Sequence, residues 1–93
     1  MVKNLYNAIY RLFNEGDYSL TITVGQVSLK LYEPDKEDNT VWEKGIEANG
    51  TPYTVGDLYV DGLGPGTYAQ LFAGEYDIIE GLAEVIYKYE FDN

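Results

Sequence analysis

The chain has 93 residues, with sixteen Asp and Glu against six Lys and Arg, a net charge of −10, and neither His nor Cys. Its length and its 45% content of hydrophobic residues suit one compact domain, residues 1–93, with a single hydrophobic core. The missing His and Cys exclude a disulfide scaffold, a zinc site of the usual ligands and a His-assisted nucleophile, and direct binding to nucleic acid would require cations that are scarce here.

Residues 2–14 are predicted to form an amphipathic helix that ends near Gly16, a frequent type of stop signal. Apolar side chains recur at spacings of three and four residues, which places them on one helical face. They are Val2, Leu5, Tyr6, Ile9, Leu12 and Phe13. This segment lacks the continuous apolar core of a signal peptide, and no apolar run is long enough to span a bilayer. A cytoplasmic protein is therefore expected.

Residues 18–33 show the clearest pattern in the sequence, that of a β-hairpin. Apolar and polar side chains alternate from Tyr18 onward on both sides of Gly25-Gln26, a two-residue connection that suits a hairpin. The pairs that this connection predicts are Val24 with Val27, Ile22 with Leu29, and Leu20 with Leu31. All of these pairs fall on one face of the sheet, which is expected to pack on the first helix.

Residues 33–40, EPDKEDNT, are predicted to be a solvated charged loop, with Pro34 ending the strand. Alternating acidic and amide side chains from Asp35 resemble the start of a calcium loop. That pattern needs Gly at its sixth position and Glu at its twelfth, which are Thr40 and Ile46 here. No metal site is therefore expected.

Residues 41–60 allow two interpretations. One is a second hairpin folded about a type I′ turn at Asn49-Gly50. The other is a short helix that begins after Asn39 and stops at Gly50. The strand interpretation is preferred for residues 41–47 and 51–60, because β-branched and aromatic residues predominate there.

Residues 61–66, DGLGPG, are predicted to be a loop, which lacks the Lys and Ser/Thr of a phosphate-binding P-loop. Residues 67–74 fit a short amphipathic helical turn, and a further helix is expected from Glu75. Residues 85–91 also alternate like a strand, so helix and strand both stay open for them. The predicted fold is α+β, with an N-terminal helix, an antiparallel sheet of three to four strands and a C-terminal helical segment packed on one face.

The negative charge is concentrated in the second half of the chain. Residues 1–44 contain seven acidic and five basic residues, whereas residues 45–93 contain nine acidic residues and one basic residue, Lys88. Asp77, Glu80 and Glu84 lie about one helical turn apart, roughly 5.4 Å of rise. Phosphates along a nucleic-acid strand have a comparable spacing. Such a row could face a groove lined by Arg and Lys, although a merely solvated helix face would show the same pattern.

Ten tyrosines are the second unusual feature of the composition. Tyr6 and Tyr18 lie on apolar faces and are predicted to be core residues, whereas Tyr53 has a weaker claim on the core. Tyrosine also suits recognition surfaces, because it adds contact area and a hydrogen bond at low entropic cost. The residues predicted to contact a partner are Asp57, Asp61, Asp77, Glu80, Glu84, Tyr59 and Tyr87.

The order of elements resembles that of the small, acidic, phage-encoded anti-CRISPR proteins that inhibit type II-A effector nucleases. The resemblance rests on the layout of KNLYNAIYRLFNEGDYSLTITV, with Asp17-Tyr18 opening the first strand, and on the acidic end EYDIIEGLAEVIYKYEFDN. It implies a monomeric or dimeric inhibitor without a cofactor. Such an inhibitor occupies the basic site where the nuclease reads the PAM duplex with arginines.

The leading hypothesis is therefore an inhibitor that mimics nucleic acid and binds a basic groove on a CRISPR effector nuclease. Another binding module stays open as an alternative, either an immunity protein against a basic toxin or a structural or assembly protein of a phage particle. A carboxylate-dependent enzyme is the third possibility. It is disfavoured because no motif places the acids beside a catalytic helper, and no enzymatic activity is expected.

Overall fold

The computed structural model describes residues 1–34, 43–60 and 78–91, apart from the side chains of residues 59 and 60. In chain order the elements are α1 (Val2–Glu15), β1 (Ile22–Val24), β2 (Val27–Leu31), β3 (Gly45–Ala48), β4 (Thr51–Thr54), α2 (Val55–Val60), α3 (Ile78–Ile86) and a π-helical segment (Tyr87–Phe91). The strands form one antiparallel sheet in the order β1-β2-β3-β4. Helix α1 packs on β1 and β2, α3 packs on β3 and β4, and the two helices pack on each other. The predicted α+β fold is confirmed.

Helix α1 confirms the prediction for residues 2–14 and extends it by one residue. The apolar stripe is buried through Leu5, Ile9 and Leu12, which are fully inaccessible to solvent. The helix ends at Gly16, which adopts a left-handed φ of 63° and donates its N–H to the Leu12 carbonyl at 3.0 Å. Glycine adopts this conformation without steric cost, and the bond satisfies a carbonyl that the helix end leaves open.

A turn at Asp17 replaces the predicted start of the first strand. The Asp17 carboxylate accepts hydrogen bonds from the Ser19 N–H at 2.9 Å and the Ser19 hydroxyl at 2.7 Å, and the Asp17 carbonyl accepts one from Leu20. Strand β1 therefore begins at Ile22, and the prediction that Asp17-Tyr18 opens the strand is wrong. Tyr18 is 49% exposed, so its assignment to the core is also wrong. The hydrogen bonds of the Asp17 side chain form a local turn here, although the alternating pattern of the sequence favours a strand.

The first hairpin has the predicted register. Ile22 pairs with Leu29 and Val24 with Val27, and Gly25 in the connection has a φ of 62°. The expected pair of Leu20 with Leu31 lies outside the ladder, because β1 begins two residues after Leu20. Leu20 still packs against the core as a partly buried side chain.

The second hairpin confirms the preferred interpretation of residues 45–54. Asn49 and Gly50 have φ values of 50° and 84°, both positive as a type I′ turn requires. The Asn49 N–H donates to the Ser28 carbonyl at 2.9 Å, and the Asn49 side-chain oxygen accepts from the Ser28 N–H at 2.9 Å. This turn therefore also fixes β3 against β2.

Residues 55–60 form helix α2, so the prediction of a strand through residue 60 is wrong. The Thr54 N–H donates to the Asp57 carboxylate at 2.9 Å, and the Asp57 N–H donates to the Thr54 hydroxyl at 3.3 Å. This reciprocal arrangement is a capping box, which begins a helix. The cap outweighs the strand preference of Val55, Tyr59 and Val60.

The sheet has one buried and one polar face. Inward side chains of β2 to β4 include Leu29, Ile46 and Tyr53, all of them buried. On the other face, Lys30 pairs with Glu47 across β2 and β3, with 3.7 Å between Nζ and Oε2. The helices and the hydrophobic core therefore lie on a single side of the sheet, as the alternation predicted.

Residues 85–91 are helical, which decides the alternative that the sequence left open. Ile86 ends the α-helical part, and the π-helical segment continues to Phe91. The expected loops at residues 35–40 and 61–66, the helical turn at 67–74 and the helix start at Glu75 lie outside the described residues. Residues 41–42 of the predicted strand also lie outside them, and the prediction is wrong for residues 43 and 44, because β3 begins only at Gly45.

Candidate acidic binding surface

Helix α3 carries two of the predicted contact residues, Glu80 and Glu84, on its outer face. Both side chains are exposed, and four residues of helix separate them by about 6 Å along the axis. The opposite face is buried through Leu82, Val85 and Ile86, each at most 1% exposed. Because the buried face fixes the helix against the core, the two carboxylates project from a well-anchored backbone.

Asp57 stands at the start of α2, in contact with the Thr54 cap described above. Its side chain is exposed, and α2 packs against both α3 and β4. The N-terminal end of a helix favours a negatively charged residue, which suits the position of Asp57. Asp57 therefore serves the local fold as well as contributing charge to the surface.

Tyr53 and Glu90 join the edge of the sheet to the π-helical segment. The Tyr53 hydroxyl donates a short hydrogen bond to the Glu90 carboxylate, and the Tyr53 ring stacks on Tyr89 with centroids 6.3 Å apart. Burial raises the pKa of Tyr53 well above its usual range, and the hydrogen bond and charge of Glu90 raise it further. Tyr89 and Asp57 also raise this pKa through their charge.

The structure thus brings two sets of carboxylates to the surface. Glu80 and Glu84 share one face of α3, while Asp57 stands at the start of α2 and Glu90 accepts the hydrogen bond of the Tyr53 hydroxyl. Tyr87 is half-buried against the core and stacks on Phe91 at 6.0 Å, so at least part of its ring serves packing. Asp61 and Asp77 lie outside the described residues, as does the side chain of Tyr59.

Two features of this surface have no counterpart among the predicted contact residues. Tyr53 was only weakly predicted to be a core residue, but it is buried, with 8% of its surface exposed. Its hydroxyl bonds to Glu90, which lies 37 residues later in the chain, and no local sequence pattern predicts this contact. Tyr89 is 42% exposed, and the Lys88 ammonium lies 5.1 Å from its ring centroid. The capping box, by contrast, was visible in the sequence as Thr-x-x-Asp at residues 54–57.

The chemistry offered by this surface is that of the exposed carboxylates of Asp57, Glu80 and Glu84, together with the exposed ring of Tyr89 on the segment that follows α3. Such groups suit the guanidinium and ammonium groups of a protein partner, since carboxylates accept their hydrogen bonds and tyrosine rings attract cations. In the described ranges, no group of three or more potential metal-ligating side chains comes together. None of the helices described is both long and apolar enough to cross a membrane.

Comparison with known proteins adds no relative from which a function could be transferred. The chain matches no protein-family model, no curated protein and no solved structure.

Proposed function

We propose that this protein is an inhibitor that binds the basic nucleic-acid-binding groove of a defence nuclease, in the manner of the anti-CRISPR proteins that its sequence resembles. It acts by occupying the groove rather than by catalysis. It needs no cofactor and works in the cytoplasm of a phage-infected cell. Its acidic residues replace the phosphates that the nuclease otherwise contacts.

The observation that carries the proposal is the presentation of Glu80 and Glu84 by α3. Their separation of about 6 Å along the axis is a few ångströms larger than the axial spacing of about 3.4 Å between phosphates on one strand of duplex DNA, and so of the same order. Carboxylates at this spacing on one helix repel each other, which lowers the stability of an isolated helix. A basic partner would remove this repulsion, so the arrangement favours complex formation.

The surroundings of α3 extend the negative charge. Asp57 stands on α2 and Glu90 on the π-helical segment, and both elements contact α3. Lys88 is the one basic residue in positions 45–93 of the sequence, against nine acidic residues. A partner that approaches α3 therefore meets mostly negative charge, which steers a basic surface toward it and disfavours an acidic one.

The edges of the sheet disfavour the alternative of a self-assembling structural protein. The edge strand β1 has only three residues, and the edge strand β4 contains Pro52, which offers no N–H to a neighbouring strand. Short edges and edge prolines hinder the strand-to-strand association of copies. A monomeric or dimeric binding protein is more consistent with these edges.

The proposal is tested by measuring the affinity of the protein for a guide-loaded type II-A effector nuclease. We expect the double variant Glu80→Gln, Glu84→Gln to raise the Kd about tenfold or more, because each substitution removes a charge that faces the basic groove. Calorimetric titration at low salt measures this change directly. The fold should persist, since both side chains are exposed.

The matched control is the double variant Glu15→Gln, Glu33→Gln. It removes the same net charge at the last residue of α1 and at an exposed residue that follows β2, both of them outside α3. Its Kd should stay within about twofold of the unmodified protein, because charges outside the contact act only through the screened long-range field. An equal rise in Kd for both double variants would show that only the net charge of the protein matters for binding. An unchanged Kd for the Glu80→Gln, Glu84→Gln variant would refute the proposed surface.

A further inference from the structure

An open groove with a volume of about 210 Å³ lies beside the sheet, at the end of α1. It is formed by the end of α1, the turn that follows it, the end of β2 and the chain that enters β3. The side chains that line it are Phe13, Tyr18, Leu31, Tyr32, Pro34 and Lys44. None of these residues belongs to α2, α3 or the π-helical segment, so the groove shares no residue with the acidic surface.

The lining side chains differ in how far they are buried. Leu31 is 7% exposed and Phe13 packs against the core, so these two provide apolar surface at the inner part of the groove. Tyr18 is 49% exposed and Lys44 is exposed as well, so these two side chains extend into the solvent. A ligand that matches the groove is therefore apolar at its inner end and polar at its outer end.

The aromatic rings of Phe13, Tyr18 and Tyr32 favour a ligand that contains a ring, because aromatic rings attract one another in stacked and edge-to-face arrangements. The turn that carries Tyr18 is held by the hydrogen bonds from Ser19 to Asp17, so this ring stands on a fixed backbone. Sites for drug-sized ligands have volumes of about 300 to 1,000 Å³. The smaller volume of this groove suits a compound with a single ring.

The charge of the lining favours an anion. Lys44 is the one charged side chain among the described residues that line the groove. Its ammonium group attracts a carboxylate, can donate hydrogen bonds to it and repels a cation. The nearby Asp17 carboxylate is not part of the lining, and it accepts the two hydrogen bonds from Ser19 within its own turn. The other acidic residues of the chain act on a ligand at longer range, where salt screens their charge.

We propose that this groove binds a small aromatic carboxylate. The ring of the ligand lies among the rings of Phe13, Tyr18 and Tyr32, and its carboxylate lies toward the ammonium group of Lys44. Apolar walls with one or two polar groups that orient the ligand are typical of small-molecule sites. This inference goes beyond the proposed function, because the site uses neither Glu80 nor Glu84 and requires no nuclease.

The test compares three probes of nearly the same shape, namely benzoate, benzamide and benzamidine, which are negative, neutral and positive. Each is titrated at one pH into the ¹⁵N-labelled full chain, and the amide signals of the protein are followed. We expect benzoate to shift the signals of Gly16, Tyr18 and Gly45 and to bind about threefold more tightly than benzamide, the effect of an exposed ion pair. Benzamidine should bind most weakly. Equal Kd values for benzoate and benzamide, tighter binding of benzamidine, or no shift at these residues would overturn the inference.

The role of Lys44 is tested by Lys44→Gln. This variant should bind benzoate as weakly as benzamide and should leave the Kd of benzamide unchanged, because the charge is removed while the aromatic walls stay. Lys30→Gln is the matched control, since Lys30 pairs with Glu47 on the polar face of the sheet and does not line the groove. Its Kd for benzoate should equal that of the unmodified protein. An equal rise in both variants would mean that only net charge matters and would overturn the assignment to Lys44.

The aromatic wall is tested by Tyr18→Ala. We expect the Kd values of benzoate and benzamide to rise alike, by about fivefold, because both lose a contact with the same ring. Tyr10→Ala is the matched control, since Tyr10 is 55% exposed on α1 and does not line the groove. Equal Kd values in these two variants would show that the Tyr18 ring does not contact the ligand and would overturn the proposed site.

The titrations are independent of the proposed function. Benzoate should shift the same amide signals in the Glu80→Gln, Glu84→Gln variant, whatever the affinity of that variant for the nuclease. A failure of benzoate to bind would leave the acidic surface unaffected. The amide spectrum of each variant also shows whether its fold is intact, and intact folds are expected because Tyr18 and Lys44 are exposed.

Discussion

At the scale of single residues, the hydrogen bond from Tyr53 to Glu90 is the contact that ties the end of the chain to the sheet. Replacing Tyr53 with Phe removes the hydroxyl and keeps the ring that stacks on Tyr89. We expect the free energy of unfolding to fall by about 1.5 to 3 kcal/mol, the usual contribution of a hydrogen bond to a charged group. Urea denaturation of the two proteins measures this difference in the free energy of unfolding. Tyr10→Phe, at a residue 55% exposed, should change stability little.

The same residue predicts a dependence of stability on alkaline pH. The pKa of Tyr53 is raised in the folded protein, so the folded state keeps this proton more strongly than the unfolded chain. The resulting stabilisation is fully present below the unfolded pKa of about 10 and is lost as the pH rises toward the folded value. The difference in unfolding free energy between the unmodified protein and Tyr53→Phe should therefore shrink above pH about 10. A difference that stays constant would contradict the assignment.

Thr54 and Asp57 carry the second prediction at this scale. Thr54→Ala removes the hydroxyl that accepts the Asp57 N–H, and we expect a loss of about 1 kcal/mol in the free energy of unfolding. Thr51→Ala, at an exposed position of the same strand, is the control and should cost less. Equal losses in urea denaturation would show that strand propensity, rather than the cap, explains the effect.

At the scale of elements, the hairpins were predictable and α2 was not. Alternation around Gly25-Gln26 and the Asn49-Gly50 pair determines both register and turn type, since a shift of one residue would expose the apolar face. Residues 55–60 include several residue types that favour strands, so their composition predicted a strand. The capping box at residues 54–57 instead begins a helix there. Tyr18 was misassigned for the same reason. In both cases a short polar side-chain motif prevailed over an apolar pattern.

The approach of β3 to β4 gives the prediction that belongs to this scale. A methyl group at Gly45 would lie 2.7 Å from the Thr54 Cα and closer still to the Tyr53 carbonyl, both of them backbone atoms. Gly45→Ala should therefore destabilise the fold by about 3 kcal/mol or more, since the strands cannot separate without losing their pairing. Gly16→Ala meets nothing within 4 Å and should cost only about 1 kcal/mol for its positive φ. Thermal unfolding of the two variants would show this order, and the reverse order would contradict the packing of β3 on β4.

At the scale of the whole molecule, the charge distribution could be predicted from the sequence, but the grouping of the charges could not. Composition located nine acids in residues 45–93, and helical spacing placed Glu80 and Glu84 on one face. The contact between Glu90 and Tyr53 depends on how the π-helical segment meets β4, and no local pattern encodes that contact. The groove beside Tyr18 likewise arises from three separate parts of the chain.

The same distribution predicts a strong salt dependence of binding. Raising the ionic strength from about 0.05 M to 0.5 M shortens the screening length to a few ångströms and should weaken binding to the nuclease by at least about tenfold. The dependence should be shallower for the Glu80→Gln, Glu84→Gln variant, because fewer charges take part. Association rates measured at several salt concentrations test this expectation. Parallel salt dependences for the two proteins would mean that α3 does not face the partner.

The most direct test of the acidic surface is whether the protein and a PAM-containing duplex exclude each other on a guide-loaded type II-A effector nuclease. Fluorescence anisotropy of a labelled duplex, with increasing amounts of the protein, measures this competition. We predict that the apparent Kd of the duplex rises linearly with the protein concentration, and that the Glu80→Gln, Glu84→Gln variant competes at least about tenfold more weakly. A stable complex containing both the duplex and the protein, or equal competition by the variant, would contradict it.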